Sequence, residues 1–153
     1  MVGLTCTGMR IEELCNPKWL DVKVDKQMLT IADESGFANQ TDDTRSNKSS
    51  CSRHLPIHAE LLAVLESLPR IDQYIFHGPR GGRLKADTVR NALVREVIKR
   101  LTKRFPKQFE NERSFEDGRL HSFRHYFCSV CANTGIPERI TMNWLRHADS
   151  EMV

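Results

Sequence analysis

The sequence predicts an α+β fold, mainly helical, with a small antiparallel sheet near its N-terminal third packed with a helical core. Three observations carry that expectation. Apolar residues alternate on either side of a polar break between Leu20 and Ile31; leucines and valines recur at helical spacing in two central segments; and Gly135 with Pro137 divides a long C-terminal helical pattern in two. At 153 residues, with 39% hydrophobic and 28% charged side chains, the chain suits one domain with a moderate core.

The elements follow in order. Thr7-Gly8 precedes a short helical stretch, Arg10-Ile11-Glu12-Glu13-Leu14, which Pro17 limits, so Arg10 belongs at a turn-to-helix junction. In WLDVKVDKQMLTIA, from Trp19 to Ala32, Leu20, Val22 and Val24 alternate, Asp25-Lys26-Gln27 interrupts, and Met28, Leu29 and Ile31 resume as the second arm of a hairpin. Asp33 to Ser52 is polar and has almost nothing to bury, which predicts a long mobile hairpin or loop carrying Arg45 and Lys48. Arg53 to Ile57 returns as a strand.

His58 to Leu68 places Leu61, Leu62, Leu65 and Leu68 on one helix face before Pro69. Tyr74-Ile75-Phe76 is a short apolar run stopped by Gly78-Pro79 and Gly81-Gly82. From Ala86 to Phe105 a longer helix is predicted, with Val89, Leu93, Val97, Ile98 and Leu101 on one face and basic residues on the other. Pro106 to Gly118 reads as a loop. Two final helices are expected at about Leu120 to Asn133 and Pro137 to Leu145, with Gly135 ending the first and Pro137 in the first turn of the second.

Several function classes lose support here. There is no Walker loop, dinucleotide fingerprint or H-E-x-x-H motif, so nucleotide hydrolysis, redox and metalloprotease chemistry lack a signature. No apolar run approaches the roughly 18 residues of a membrane span, and the N-terminus lacks a signal-peptide layout, so a cytoplasmic protein without a membrane partner is expected. Five cysteines, an odd number without a secretory context, read as reduced, packed thiols. Cys128 and Cys131 share a helix face, but His121 lies two turns from Cys128, too far for one closed tetrahedral metal site, so no metal is expected. The net charge of +3 permits nucleic-acid binding without predicting it.

Phosphodiester chemistry is where the cations point. In-line attack on phosphorus builds negative charge on the non-bridging oxygens, and two guanidiniums can offer forked donors to them. Arg10 and Arg124 are the candidates; the alternatives are a helix salt bridge with Glu12 or Glu13 for Arg10 and a solvated helix face for Arg124. His121 and Arg124, three apart on a helix, can project from one face and meet one phosphate. His147, at a later helix end, can hydrogen-bond a phosphate oxygen or manage the nucleophile's proton. His125 points about 100° away from Arg124 and reads as a packing histidine or one that supports the site residues from behind.

Four blocks in order give these residues a context. TGMRIEEL, Lys48 with Leu55-Pro56-Ile57, HSFRH and LRHADSEMV resemble the successive motifs of the tyrosine recombinase, or phage integrase, family, across nearly the whole chain. The resemblance implies an integrase-type catalytic domain, a single partial domain over residues 1–153, truncated at both ends. It implies Arg10, Lys48, His121, Arg124 and His147 as catalytic residues, with Lys48 as the general acid that protonates the leaving 5′ oxygen. Arg45 and Arg53 are then expected on DNA phosphate or in solvent. Arg146, standing where the family usually has glycine, either crowds the turn or adds a phosphate contact.

In this family a tyrosine soon after the last histidine attacks the DNA, forms a 3′-phosphotyrosyl link and frees a 5′ hydroxyl without ATP, metal or any small-molecule cofactor. The partners implied are double-stranded DNA and other recombinase protomers. Here the only tyrosines, Tyr74 and Tyr126, match no nucleophile position, and the chain stops at Val153. A recombinase fragment inactive by itself is therefore expected, and a noncatalytic DNA-binding remnant and a helical interaction module are the alternatives.

Overall fold

A computed structural model describes residues 1–31, 52–109 and 113–146. Arg45, Lys48, Cys51 and His147 lie outside the described residues, as does nearly all of the polar stretch predicted as a long hairpin.

The chain opens with a helix the sequence did not signal, α1 (Val2–Thr7). Its Val, Gly and Thr residues are poor helix formers, so packing must hold it. Leu4 is 1% exposed, and a Cβ on Gly3 would lie 2.8 Å from Leu14 Cδ1. Gly8 ends the helix in the left-handed region at φ 60°, its N–H returning to the Leu4 carbonyl. Helix α2 (Ile11–Leu14) begins at the expected junction. Glu13 accepts the Arg10 N–H at 2.7 Å, capping one otherwise orphaned donor, while Ile11 and Leu14 face the core.

The predicted hairpin is β1 (Val22–Lys23) and β2 (Met28–Ile31), joined by a 3-10 turn at Val24–Lys26 and left-handed Gln27. β3 (Arg53–Pro56) completes an antiparallel sheet in the order β1-β2-β3, with Leu29 opposite Leu55 and Ile31 opposite Arg53. Alternation buries Leu29, Ile31 and Leu55 on one face, and Arg53 falls on that same inner face because it is two residues from Leu55.

Helix α3 (Ala59–Ser67) presses Leu61 and Leu65 into this core. The apolar run at Tyr74–Phe76 pairs with the chain after Pro17, through a Lys18–Tyr74 bridge and the Ile75 N–H to the Pro17 carbonyl at 3.0 Å.

The long basic helix is interrupted. It runs as α4 (Ala86–Ala92), widens into a π-helix over Leu93–Ile98 and tightens again as α5 (Lys99–Leu101), four residues short of the predicted end. The i→i+5 winding suits the burial, since Leu93 and Ile98, five apart, are the residues of this stretch that go inside. A 3-10 turn at Phe115–Asp117 lies in the predicted loop.

α6 (His121–Asn133) and α7 (Glu138–Leu145) follow as expected, with Gly135 at φ 75° between them. The Ile136 N–H reaches back to the Cys131 carbonyl, closing the helix end, and Pro137 is the residue just before α7. Phe127, Cys128, Cys131 and Leu145 form a second core cluster, with Trp144 bridging to the first. The four described cysteines form no disulfide with one another, and burial pushes the thiols of Cys128 and Cys131 up. No described helix is long and apolar enough to cross a membrane.

Candidate functional site

Arg124 is 3% exposed, a cationic side chain inside the fold. Its Nη1 donates to the Gly8 carbonyl at 2.8 Å, and its Nη2 donates to the Leu145 carbonyl. The first acceptor is the α1–α2 turn and the second is the last residue of α7. One guanidinium therefore ties three segments together, and two backbone carbonyls help to fix its plane. Burial lowers its pKa to about 10, with Arg10 and Arg53 adding repulsion and Glu13 opposing them. A cation so placed still holds its proton at neutral pH and favours an arriving anion.

A cleft of about 500 Å³ opens beside it, lined by Met9, Arg10, Ile11, Glu12, Arg90, Leu93, Val94, Arg119, Leu120, His121 and Arg124. Arg10, His121 and Arg124 are thus brought to one cavity from segments more than a hundred residues apart. The Arg10 side chain is 51% exposed and only loosely paired, its Nη1 lying 3.8 Å from Glu13 Oε1. His121 stacks edge-on against His125, ring centroids 4.9 Å apart. Burial lowers the His121 pKa, and the positive surroundings of His125, Arg124 and Arg10 lower it further, so the free imidazole is neutral at pH 7.

Arg53 departs from expectation. Expected on DNA phosphate or in solvent, it has a side chain 5% exposed whose terminal nitrogens both donate to Glu13, Nη1 to Oε1 at 2.9 Å and Nη2 to Oε2 at 2.7 Å. The strand's alternation buries it, and a forked ion pair compensates the charge. Glu13, read as a helix partner of Arg10, is chiefly the partner of Arg53. Burial acts to raise the Glu13 carboxyl, but the hydrogen bonds from Arg53 and the Arg10 N–H outweigh it and hold it below the ordinary glutamate range.

Arg146 is exposed and sits at the end of α7 with φ 54°, ψ 48°, the left-handed conformation that glycine adopts at least cost. Two further cations went unread. Arg119 lies in the turn before α6, its Nη1 held by the Glu116 and Gly118 carbonyls, and Arg90 bridges Glu12 at 3.0 Å and Asp87 at 2.6 Å. The basic face of the 86–105 helix was the available signal for Arg90; Arg119 gave none beyond standing two residues ahead of His121.

Neither tyrosine lines the cleft. Tyr126 is 55% exposed, and Tyr74 sits under Lys18 and Arg83 beside the 17–19 segment.

Residues 3–153 match the phage integrase family. The chain belongs to that family. Solved structures of the same fold include the Tn1549 transposon integrase in complex with transposon right end DNA, 20% identical, covering 99% of this chain and 50% of that one at a TM-score of 0.71. The XerA recombinase is 22% identical over 96% of this chain and 46% of its own, TM-score 0.64. A lambda integrase dimer bound to a COC' core site is 18% identical over 98% of this chain and 49% of its own, TM-score 0.61. The chain therefore spans about half the length of these integrases and recombinases. No curated protein matches it in sequence.

Proposed function

We propose that residues 1–153 form a single partial catalytic domain of a site-specific DNA recombinase, acting in the cytoplasm on double-stranded DNA together with other protomers. The observation that carries this reading is the convergence of Arg10, His121 and Arg124 on one cleft, in a chain of the phage integrase family.

The chemistry follows from the side chains. A scissile phosphate seated in the cleft meets a fixed, buried guanidinium at Arg124 and an adaptable one at Arg10, which together offset the charge that grows on the non-bridging oxygens. His121, neutral when free, donates its one ring N–H to a phosphate oxygen. A tyrosine oxygen attacks phosphorus, the bond to the 5′ oxygen breaks, and Lys48 gives that oxygen its proton while His147 manages the proton of the nucleophile. The 3′-phosphotyrosyl link keeps the bond energy for rejoining, by the same steps in reverse. Arg146, and Arg45 on the segment before β3, would hold flanking phosphates.

Neither Tyr74 nor Tyr126 is placed for this attack, so in this account the chain alone binds DNA without cutting it. Incubating it with end-labelled duplex DNA and denaturing the mixture tests both halves. The expected result is a salt-sensitive complex, weakened by Arg10→Ala, and no covalent protein–DNA adduct. An adduct mapped to Tyr74 or Tyr126 would overturn the account of the nucleophile, and DNA affinity unchanged by Arg10→Ala would overturn the account of the cleft.

A further inference from the structure

Cys6 on α1, His58 at the N-cap of α3 and Glu60 in its first turn place a thiol, an imidazole nitrogen and a carboxylate oxygen within 4.8 Å of one another. The recombination chemistry proposed for the cleft uses none of the three. We propose that they form a binding site for a borderline divalent cation such as Zn²⁺, held by one sulfur, one nitrogen and one oxygen with water in the fourth position.

The donor set is the argument. Thiolate, imidazole and carboxylate together suit zinc better than magnesium or calcium, which take oxygen. With metal–sulfur near 2.3 Å and metal–nitrogen or –oxygen near 2.0–2.2 Å, a tetrahedral site needs donors roughly 3.3–3.7 Å apart. Cys6 Sγ is already 4.0 Å from Glu60 Oε2, and His58 and Glu60 are exposed, so side-chain rotation alone closes the remainder. Burial and the Glu60 carboxylate both raise the Cys6 thiol. A cation reverses the second effect, and the thiol proton leaves to solvent as the metal–sulfur bond forms.

Two terms oppose binding. His58 Nδ1 accepts the Glu60 N–H at 3.3 Å, and a ring that ligates a metal gives up that long capping bond. A cation beside a helix N-terminus also opposes the helix dipole. The attraction of two anionic ligands, the thiolate and the Glu60 carboxylate, for a divalent cation opposes both. The bound metal would staple α1 to α3, and α1 ends at Gly8, whose carbonyl holds Arg124.

Titrating the full chain with Co²⁺ tests this, because cobalt bound to a thiolate gives an intense charge-transfer band that cobalt on imidazole and carboxylate does not. One equivalent should produce the band, and Zn²⁺ should abolish it. Cys6→Ser should remove it. His58→Asn, which keeps a capping side chain, and Glu60→Gln should each weaken binding at least about tenfold, with circular dichroism unchanged. His121→Ala should leave the titration as it was. A band that survives Cys6→Ser, or no band at stoichiometric cobalt, would overturn the proposal.

Discussion

Arg124 donates from Nη1 to the carbonyl oxygen of Gly8 at 2.8 Å, across 116 residues of chain. The contact requires glycine on the other side, because a Cβ at position 8 would lie 2.7 Å from both Leu145 Cδ2 and Phe127 Cδ1. The left-handed turn thus closes α1, seats the second core cluster and presents the acceptor that orients the buried guanidinium.

Gly8→Ala should therefore be severe. Left-handed backbone costs a non-glycine residue about 1–2 kcal/mol, and forcing a methyl into a packed core costs about 1–3 kcal/mol more. A loss of about 2–5 kcal/mol in urea unfolding is expected, with weaker DNA binding under conditions where the variant is still folded. Stability within about 0.5 kcal/mol of the parent would contradict the packing described.

The Glu13–Arg53 pair should behave as a buried ion pair. Glu13→Ala strands a buried guanidinium and should cost about 3–5 kcal/mol, whereas Glu13→Gln, which still accepts hydrogen bonds, should cost less. The pH dependence has a definite sign. The folded-state pKa of Glu13 lies below its ordinary value of 4.5, so its contribution is fully present above that value and is lost as pH falls through the lower, folded pKa. Stability of the parent should decline on acidification through that window, and Glu13→Gln should flatten the decline.

His121 should titrate below the ordinary histidine value of 6.5 in the free protein, owing first to burial and then to the neighbouring positive charges. A phosphate in the cleft favours the protonated ring, so DNA should raise that pKa. Affinity for DNA should therefore increase as pH falls through the interval between the two values, and His121→Gln should remove the increase. Anisotropy titrations of a labelled duplex across that pH range measure the effect directly.

Arg146→Gly separates strain from binding. Relief of left-handed strain is worth about 1–2 kcal/mol, against about 0.4–1 kcal/mol for the added freedom of the unfolded chain. The variant should be more stable by up to about 1.5 kcal/mol. If Arg146 also contacts phosphate, the salt dependence of DNA binding should fall by about one counterion. A less stable variant would contradict the strain assigned to this turn.

Much of this architecture was legible because period and punctuation agree. Alternation gave the hairpin, leucine spacing gave α3, and Gly135 with Pro137 separated α6 from α7. What escaped depends on contacts between distant residues. Helix α1 has weak intrinsic propensity and exists through Leu4 and Gly3 packing. The π-helical stretch shows only in the five-residue step from Leu93 to Ile98, which a 3.6-residue search smooths over. The charge of Arg53 points to DNA phosphate or solvent, although the alternation that places Leu55 inside places Arg53 inside with it. At the site, motif order singles out Arg10, His121 and Arg124, the basic helix face hints at Arg90, and Arg119 is visible only with the cleft.

We expect Arg10, His121 and Arg124 to share one phosphate. Following the arginine Nε–H and histidine ring resonances by NMR, during titration with a short duplex DNA, tests it most directly. Signals of these three residues should move together with one affinity while those of Arg53, locked to Glu13, stay in place. Perturbation confined to other basic residues, with Arg10, His121 and Arg124 unmoved, would contradict it.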